Sequence, residues 1–142
     1  MNRAARARQI SPYLLAGLLA AAGVTHFVHP EPYARIVPHV LPARRALVAL
    51  SGLAELACAA ALVAPRTRRL AGWATAGLFV AVFPANVQMA LDAGAPGTSG
   101  LLGPAVAWLR LPVQVPLVIW AVHVARTARS APSAEPVQQL RR

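Results

Sequence analysis

Four stretches of this chain, residues 11–28, 46–64, 70–91 and 111–128, are apolar over the roughly 20 residues that a helix needs to cross about 30 Å of hydrocarbon. Inside lipid every backbone N–H and C=O must be satisfied by the protein, which restricts such long apolar stretches to helices. Composition agrees. Of 142 residues, 57% are hydrophobic and 13% charged, with a mean hydropathy of +0.52, too apolar for a soluble domain of this size. The expectation is an all-α fold, an integral membrane four-helix bundle over residues 11–128. A basic N-terminus (1–10) precedes it, and a polar, proline-containing tail (129–142) is expected to be cytoplasmic and disordered.

The formal net charge of +10 would point a soluble protein toward nucleic acid, but these charges flank the apolar stretches instead of forming a groove with interleaved aromatics. All arginines except Arg35, Arg44, Arg45 and Arg110 fall at the termini or in the turn at Arg66, Arg68 and Arg69. An even number of crossings puts those groups on one side, and the positive-inside rule makes that side the cytoplasm, an N-in, C-in orientation. A second reading of the N-terminus is a signal peptide, with Arg3, Arg6 and Arg8 before an apolar run at 14–20 and Ala20-Ala21-Ala22 as the cleavage site. Against it, the apolar stretch continues through Val28, and its removal would leave an odd number of crossings.

Segment 30–42 is too short to cross and carries Pro30, Pro32, Pro38 and Pro42, which remove four backbone donors. Its apolar Ile36, Val37, Val40 and Leu41 suit a short amphipathic lid in the outer interface. Segment 92–109 is rich in glycine and proline and is expected to be irregular, with Trp108 resting at the interface.

Glu55 lies within an apolar stretch, 47–63, where a charge costs several kcal/mol unless it is neutralised, paired or hydrated. Counting along the spans puts Glu55 roughly 12 Å below the outer interface and Gln114 at a similar level. His26 and Asn86 fall nearer that interface, with Arg110 above Gln114 at the start of the fourth span. These five residues therefore gather in the outer half of the bundle. Glu55 shares its helix face with Ser51, Gly52, Cys58 and Ala59, all small, and His26 sits over Ala22 and Gly23, so helices can approach closely or leave a cavity there. Pro84 and Pro116 are expected to bend their helices and splay the outer ends.

Each residue has a plain reading beside the functional one. Glu55 and Arg110 fit an ion pair that fixes packing, or else a ligand or proton site. His26 fits a hydrated or capping side chain, or a proton-handling group. Asn86 and Gln114 fit interhelical hydrogen-bonding glue. His123, Trp73, Trp108 and Trp120 fit interface or packing anchors. A single cysteine, Cys58, cannot form an intramolecular disulfide relay and is most simply a packing residue. There is no ligand set for a metal, no glycine-rich phosphate loop, no nucleophile elbow and no facing histidine pair for haem.

Gly23-Val24-Thr25-His26-Phe27, Pro42, Ser51-Gly52-Leu53-Ala54-Glu55-Leu56, Phe83-Pro84-Ala85-Asn86 and Arg110-Leu111-Pro112-Val113-Gln114 occur in an order and spacing that resembles the DoxX family of small four-helix membrane proteins. The resemblance runs over residues 14–125. It implies a bacterial inner-membrane protein of the DoxX/DoxD-like group, some members of which are linked to membrane oxidoreductase complexes, thiosulfate-to-quinone electron transfer or thiol-redox homeostasis. The family's recurrent polar positions carry over to His26, Glu55, Asn86, Arg110 and Gln114. The lone Cys58 departs from any dithiol chemistry by this chain.

Two functions follow from this reading. In one, the outer-half pocket binds a membrane quinone or similar amphiphile, with His26 and Glu55 handling protons and Asn86, Gln114 and Arg110 holding carbonyl or anionic groups. The chain would then be a subunit whose redox centres sit in a partner, alone or as a homo-oligomer, with the lipid bilayer as its surroundings and nucleic acid excluded. In the other, the polar cluster is structural and the protein is a membrane anchor or scaffold.

Overall fold

A computed structural model describes residues 3–93 and 103–128. It contains five helices in these segments: α1 (Arg3–Val28), α2 (Pro30–Ile36), α3 (Arg44–Val63), α4 (Arg68–Asp92) and α5 (Gly103–Thr127). Four of them are long and apolar enough to cross a membrane, over Gln9–Val28, Arg44–Val63, Arg68–Asp92 and Pro104–Thr127. The protein is an all-α, multi-span helical membrane protein.

The expected helix count of four is corrected by α2, which lies in the proline-rich segment between the first two spans. Prolines do not prevent it, because Pro30 and Pro32 fall in its first turn, where backbone donors have no helical partner anyway. Prolines also set its limits. His29 precedes Pro30 and leaves the helical region (φ −132°, ψ 67°), while Val37 precedes Pro38 and is extended (φ −66°, ψ 128°). At the next helix, Ala43 takes a left-handed conformation (φ 51°) that turns the chain into α3. Ala64, before Pro65, closes α3 in the same extended manner.

A second correction concerns the helix of the fourth span, which begins at Gly103 and not near residue 111. Residues 103–109, expected to be irregular, form its first turns, so Arg110 sits inside a helix and Pro112 and Pro116 are both internal. In a membrane bundle, neighbouring helices and local adjustment re-satisfy the backbone groups that internal prolines free. The remainder of that linker and the proposed tail at 129–142 lie outside the described residues.

The helices alternate in direction. One end of the bundle, called here the α2 end, carries the close of α1 and α4 and the starts of α3 and α5. The opposite end carries the start of α1, the α3–α4 turn and the close of α5. There Trp120 Nε1 donates to Ser11 Oγ (2.7 Å), tying α5 to α1. Arg68 closes the α3–α4 turn by donating through Nε to the Leu62 carbonyl (2.9 Å) and through Nη2 to that of Val63 (3.0 Å), covering helix-end carbonyls that lack intrahelical donors.

Side chains of Leu15, Leu19, Leu62, Ala71, Ala121 and Val124 make the packed core, which lies in the half away from α2. Leu14, Leu50, Leu53, Val80 and Ile119 are exposed around the bundle, an apolar outer face that suits lipid. Two close helix crossings depend on glycine. A Cβ built on Gly72 of α4 would lie 2.8 Å from the Ala125 backbone nitrogen of α5, and one on Gly52 of α3 would lie 2.7 Å from His26 Cβ and 3.1 Å from the Gly23 carbonyl of α1. The Gly23–Gly52 crossing positions the site.

Candidate functional site

Because α1 and α3 touch at Gly23 and Gly52, the residues three positions further along each helix, His26 and Glu55, sit beside the crossing on opposing walls. Helix side chains lean back toward their own N-termini. On antiparallel neighbours this brings the two side chains toward each other. His26 Nδ1 lies 3.3 Å from Glu55 Oε2, and both side chains are only 10% exposed. Glu55 thus faces His26 and not Arg110, the partner that one of its two sequence readings offered. Arg110 instead places its Nη1 3.6 Å from Met89 Sδ.

The same His26 Nδ1 lies 2.8 Å from the Ala22 carbonyl, and a carbonyl can only accept, so Nδ1 carries a proton. Thr25 Oγ1 donates to the same carbonyl (2.7 Å), so the short contact between Thr25 Oγ1 and the Tyr33 hydroxyl (2.7 Å) has Tyr33 as its donor. Tyr33, on α2, also stacks on the His26 imidazole with ring centroids 3.8 Å apart and planes at 23°. Stacking and hydrogen bonding together hold α2 over the histidine. On the surface, Arg45 Nη2 reaches Glu31 Oε1 (2.6 Å), but at 81% and 57% exposure this pair contributes little to docking α2.

On the other side of the bundle, Asn86 Nδ2 donates to Gln114 Oε1 (3.1 Å), joining α4 to α5. Gln114 Nε2 donates to the Phe79 carbonyl, next to the Val80 carbonyl that Pro84 cannot serve. Gln114 is thus engaged at both ends of its amide, and it orients Asn86.

Between these pairs lies a cavity of about 590 Å³, lined from all five helices. His26, Glu55, Asn86, Arg110 and Gln114 all line it, together with Tyr33 and Ser51. The rest of the wall is largely aliphatic, including Leu18, Leu19, Val48, Leu78, Val82 and Leu117. Two polar atoms of residues on this wall are buried without a well-aligned hydrogen bond from the protein, Ser51 Oγ and Glu55 Oε2, the latter facing His26 Nδ1 at 3.3 Å. Glu55 as a whole is 8% exposed. Among the described residues no group of three or more His, Cys, Asp or Glu side chains is placed to hold a metal ion.

Sequence reasoning missed Tyr33 as a site residue. It was one aromatic in a proline-rich lid, and nothing in the spacing says that α2 would fold its ring onto His26. Ser51 was noted only as a small neighbour of Glu55. His123, by contrast, is exposed on α5 far from the cavity, and Cys58 is buried in the core. If Tyr33 covers His26, Tyr33→Leu is expected to raise the rate of His26 modification by diethyl pyrocarbonate several-fold, with His123 unchanged as internal reference. Peptide mass spectrometry reads both rates, and an unaltered His26 rate would refute the cover.

Fold and cavity together define a multi-span membrane helical protein with a polar-edged chamber in one half of its bundle. Residues 15–125 match the family model described as Domain of unknown function (DUF8561). The chain belongs to that family. No curated protein and no solved structure matches it.

Proposed function

We propose that this protein is a quinone- or amphiphile-binding subunit of a bacterial inner-membrane redox system, oriented N-in, C-in so that the chamber lies in the outer leaflet. The observation that carries this reading is the buried His26–Glu55 pair on the wall of an otherwise largely aliphatic chamber. A chamber of about 590 Å³ falls within the roughly 300–1,000 Å³ range of small-molecule sites, which pair an apolar lining with a few placed polar groups. Apolar walls take the ring and first isoprenoid-like units of an amphiphile. His26 and Glu55 are the proton-handling pair, Asn86 and Arg110 face carbonyl or anionic groups, and Gln114 positions Asn86. The similarity to DoxX proteins supports the redox setting, and the electron-carrying centres belong to a partner subunit.

One observation favours a second reading, that of a scaffold. The Asn86–Gln114–Phe79 chain is closed within the protein and links α4 to α5 whether or not anything binds. Glu55→Gln separates the two, since it removes the charge while keeping the shape. For a binding subunit, lipid extracts of purified wild-type protein contain co-isolated quinone and those of Glu55→Gln contain about tenfold less, at equal membrane accumulation. Wild-type preparations that repeatedly carry no quinone would reject the proposal. Collapse of Glu55→Gln accumulation would support the scaffold.

A further inference from the structure

Glu55 Oε2 and Ser51 Oγ are both buried and belong to residues that line the cavity; Ser51 Oγ has no protein hydrogen bond, and Oε2 has the 3.3 Å contact with His26 Nδ1 but no well-aligned one. They lie four residues apart on α3, so their Cβ atoms are one helical turn apart, about 5–6 Å, on the same face. Neither oxygen has open surface as it stands, so one small polar group reaches both only when the two side chains turn toward the cavity. The chemistry of the two oxygens decides which group it is.

Oε2 faces the protonated Nδ1 of His26 at 3.3 Å, so it presents lone pairs on that side, and any proton on the carboxyl group sits on the other oxygen. The Nδ1 proton is committed to the Ala22 carbonyl at 2.8 Å, which leaves Oε2 short of a donor. Ser51 Oγ can donate and accept. A ligand carbonyl or ether can take a hydrogen bond from Ser51 but meets lone pairs at Glu55. A ligand hydroxyl satisfies both, donating to Oε2 while accepting from Ser51 Oγ.

We infer that Ser51 and Glu55 form a hydroxyl-recognising subsite, so that the chamber selects the hydroxyl-bearing form of an amphiphile, a quinol or a lipid alcohol, over its carbonyl or ether counterpart. This inference rests on the proposed amphiphile-binding role and adds Ser51 to the residues that contact ligand. It sets a direction as well: a site of this polarity holds the reduced, proton-bearing member of a quinone couple.

The test uses the full-length protein in lipid nanodiscs under anaerobic conditions, with four probes: a short-chain alkyl hydroquinone, its dimethyl ether, the matching quinone and dodecanol. Equilibrium binding is expected to favour the hydroquinone over both ether and quinone by about tenfold, the scale of one buried hydrogen bond made or left unmade. Ser51→Ala is expected to narrow that preference severalfold without shifting the thermal unfolding midpoint. Dodecanol binding tighter than the hydroquinone would assign the hydroxyl to a lipid alcohol, and weaker binding to a quinol. Equal affinity for hydroquinone, ether and quinone would overturn the hydroxyl subsite while leaving amphiphile binding intact. Failure of all four probes to bind would overturn both.

Discussion

A His26→Leu variant is expected to be less stable than the wild type by about 3–5 kcal/mol, and His26→Leu combined with Glu55→Leu is expected to recover most of that loss. The asymmetry comes from what each substitution leaves behind. Removing the imidazole takes away the group facing Glu55 Oε2 while the carboxyl group stays 8% exposed between helices, a buried ionisable side chain left without its partner. It also removes the ring on which Tyr33 stacks and one of the two side-chain contacts to the Ala22 carbonyl. Removing Glu55 alone leaves a histidine that keeps both its Ala22 contact and its Tyr33 neighbour, so Glu55→Leu should be much milder. The double variant places leucines in a wall already lined by leucine and valine. Helix content followed by circular dichroism through a denaturing-detergent titration reads all four proteins. If the double variant proves no more stable than His26→Leu, the pair is not the unit described here and the coupling term is zero.

That cycle also separates structure from function. A stable double variant that has lost hydroxyl-selective binding would mean that the pair is kept for its ligand, since an apolar pair serves the fold as well. Such a result fits the general finding that buried ion pairs are weak contributors to stability although breaking one is costly.

That the five polar residues share one level of the bundle was legible in the sequence, and their rotation about the helices was not. Depth follows from residue count, because a helix rises by about 1.5 Å per residue and apolar stretches are anchored by arginines at known positions. This is why His26, Glu55, Asn86, Arg110 and Gln114 all line one cavity. Which of them meet depends on helix crossings, and the Gly23–Gly52 contact that turns His26 toward Glu55 is a pairing between residues 29 positions apart that no local pattern records. Charge offered Arg110 as one of two readings for Glu55, a packing ion pair or a ligand site, and the structure sets Arg110 against Met89. Local chemistry misled at two places for one reason. Glycine and proline read as breakers at 30–42 and 92–109, yet Pro30 and Pro32 begin one helix and Pro104 lies in the first turn of another. A proline lacks one donor, and that loss matters little in a first turn or beside helices that re-satisfy the freed carbonyl.

Filling the glycine crossings is expected to do comparable damage by a different route. Gly52→Leu drives a side chain into His26 Cβ, Phe27 Cε2 and the Gly23 carbonyl, which a Cβ alone would meet at 2.7, 2.9 and 3.1 Å. Gly72→Leu drives one into the Ala125 backbone, met at 2.8–2.9 Å. Backbone atoms cannot swing aside as a side-chain tip can, so the helices must part, at about 1–3 kcal/mol or more for each substitution. Gly17 and Gly77 provide the comparison within the same protein, since a Cβ at either meets nothing within 4 Å. Gly17→Ala and Gly77→Ala should therefore be neutral or raise stability by up to about 1 kcal/mol through helix propensity. The two crossings should differ in one further respect. Gly52→Leu separates α1 from α3 and with them His26 from Glu55, so it should abolish hydroquinone binding even in lipid conditions where the protein remains folded. Gly72→Leu acts between α4 and α5 in the packed half and should lower stability with binding retained until the bundle unfolds. Equal stability of Gly52→Leu and Gly77→Ala in the same detergent titration would show that α1 and α3 do not meet at Gly23 and Gly52, and the site geometry that depends on that contact would fall with it.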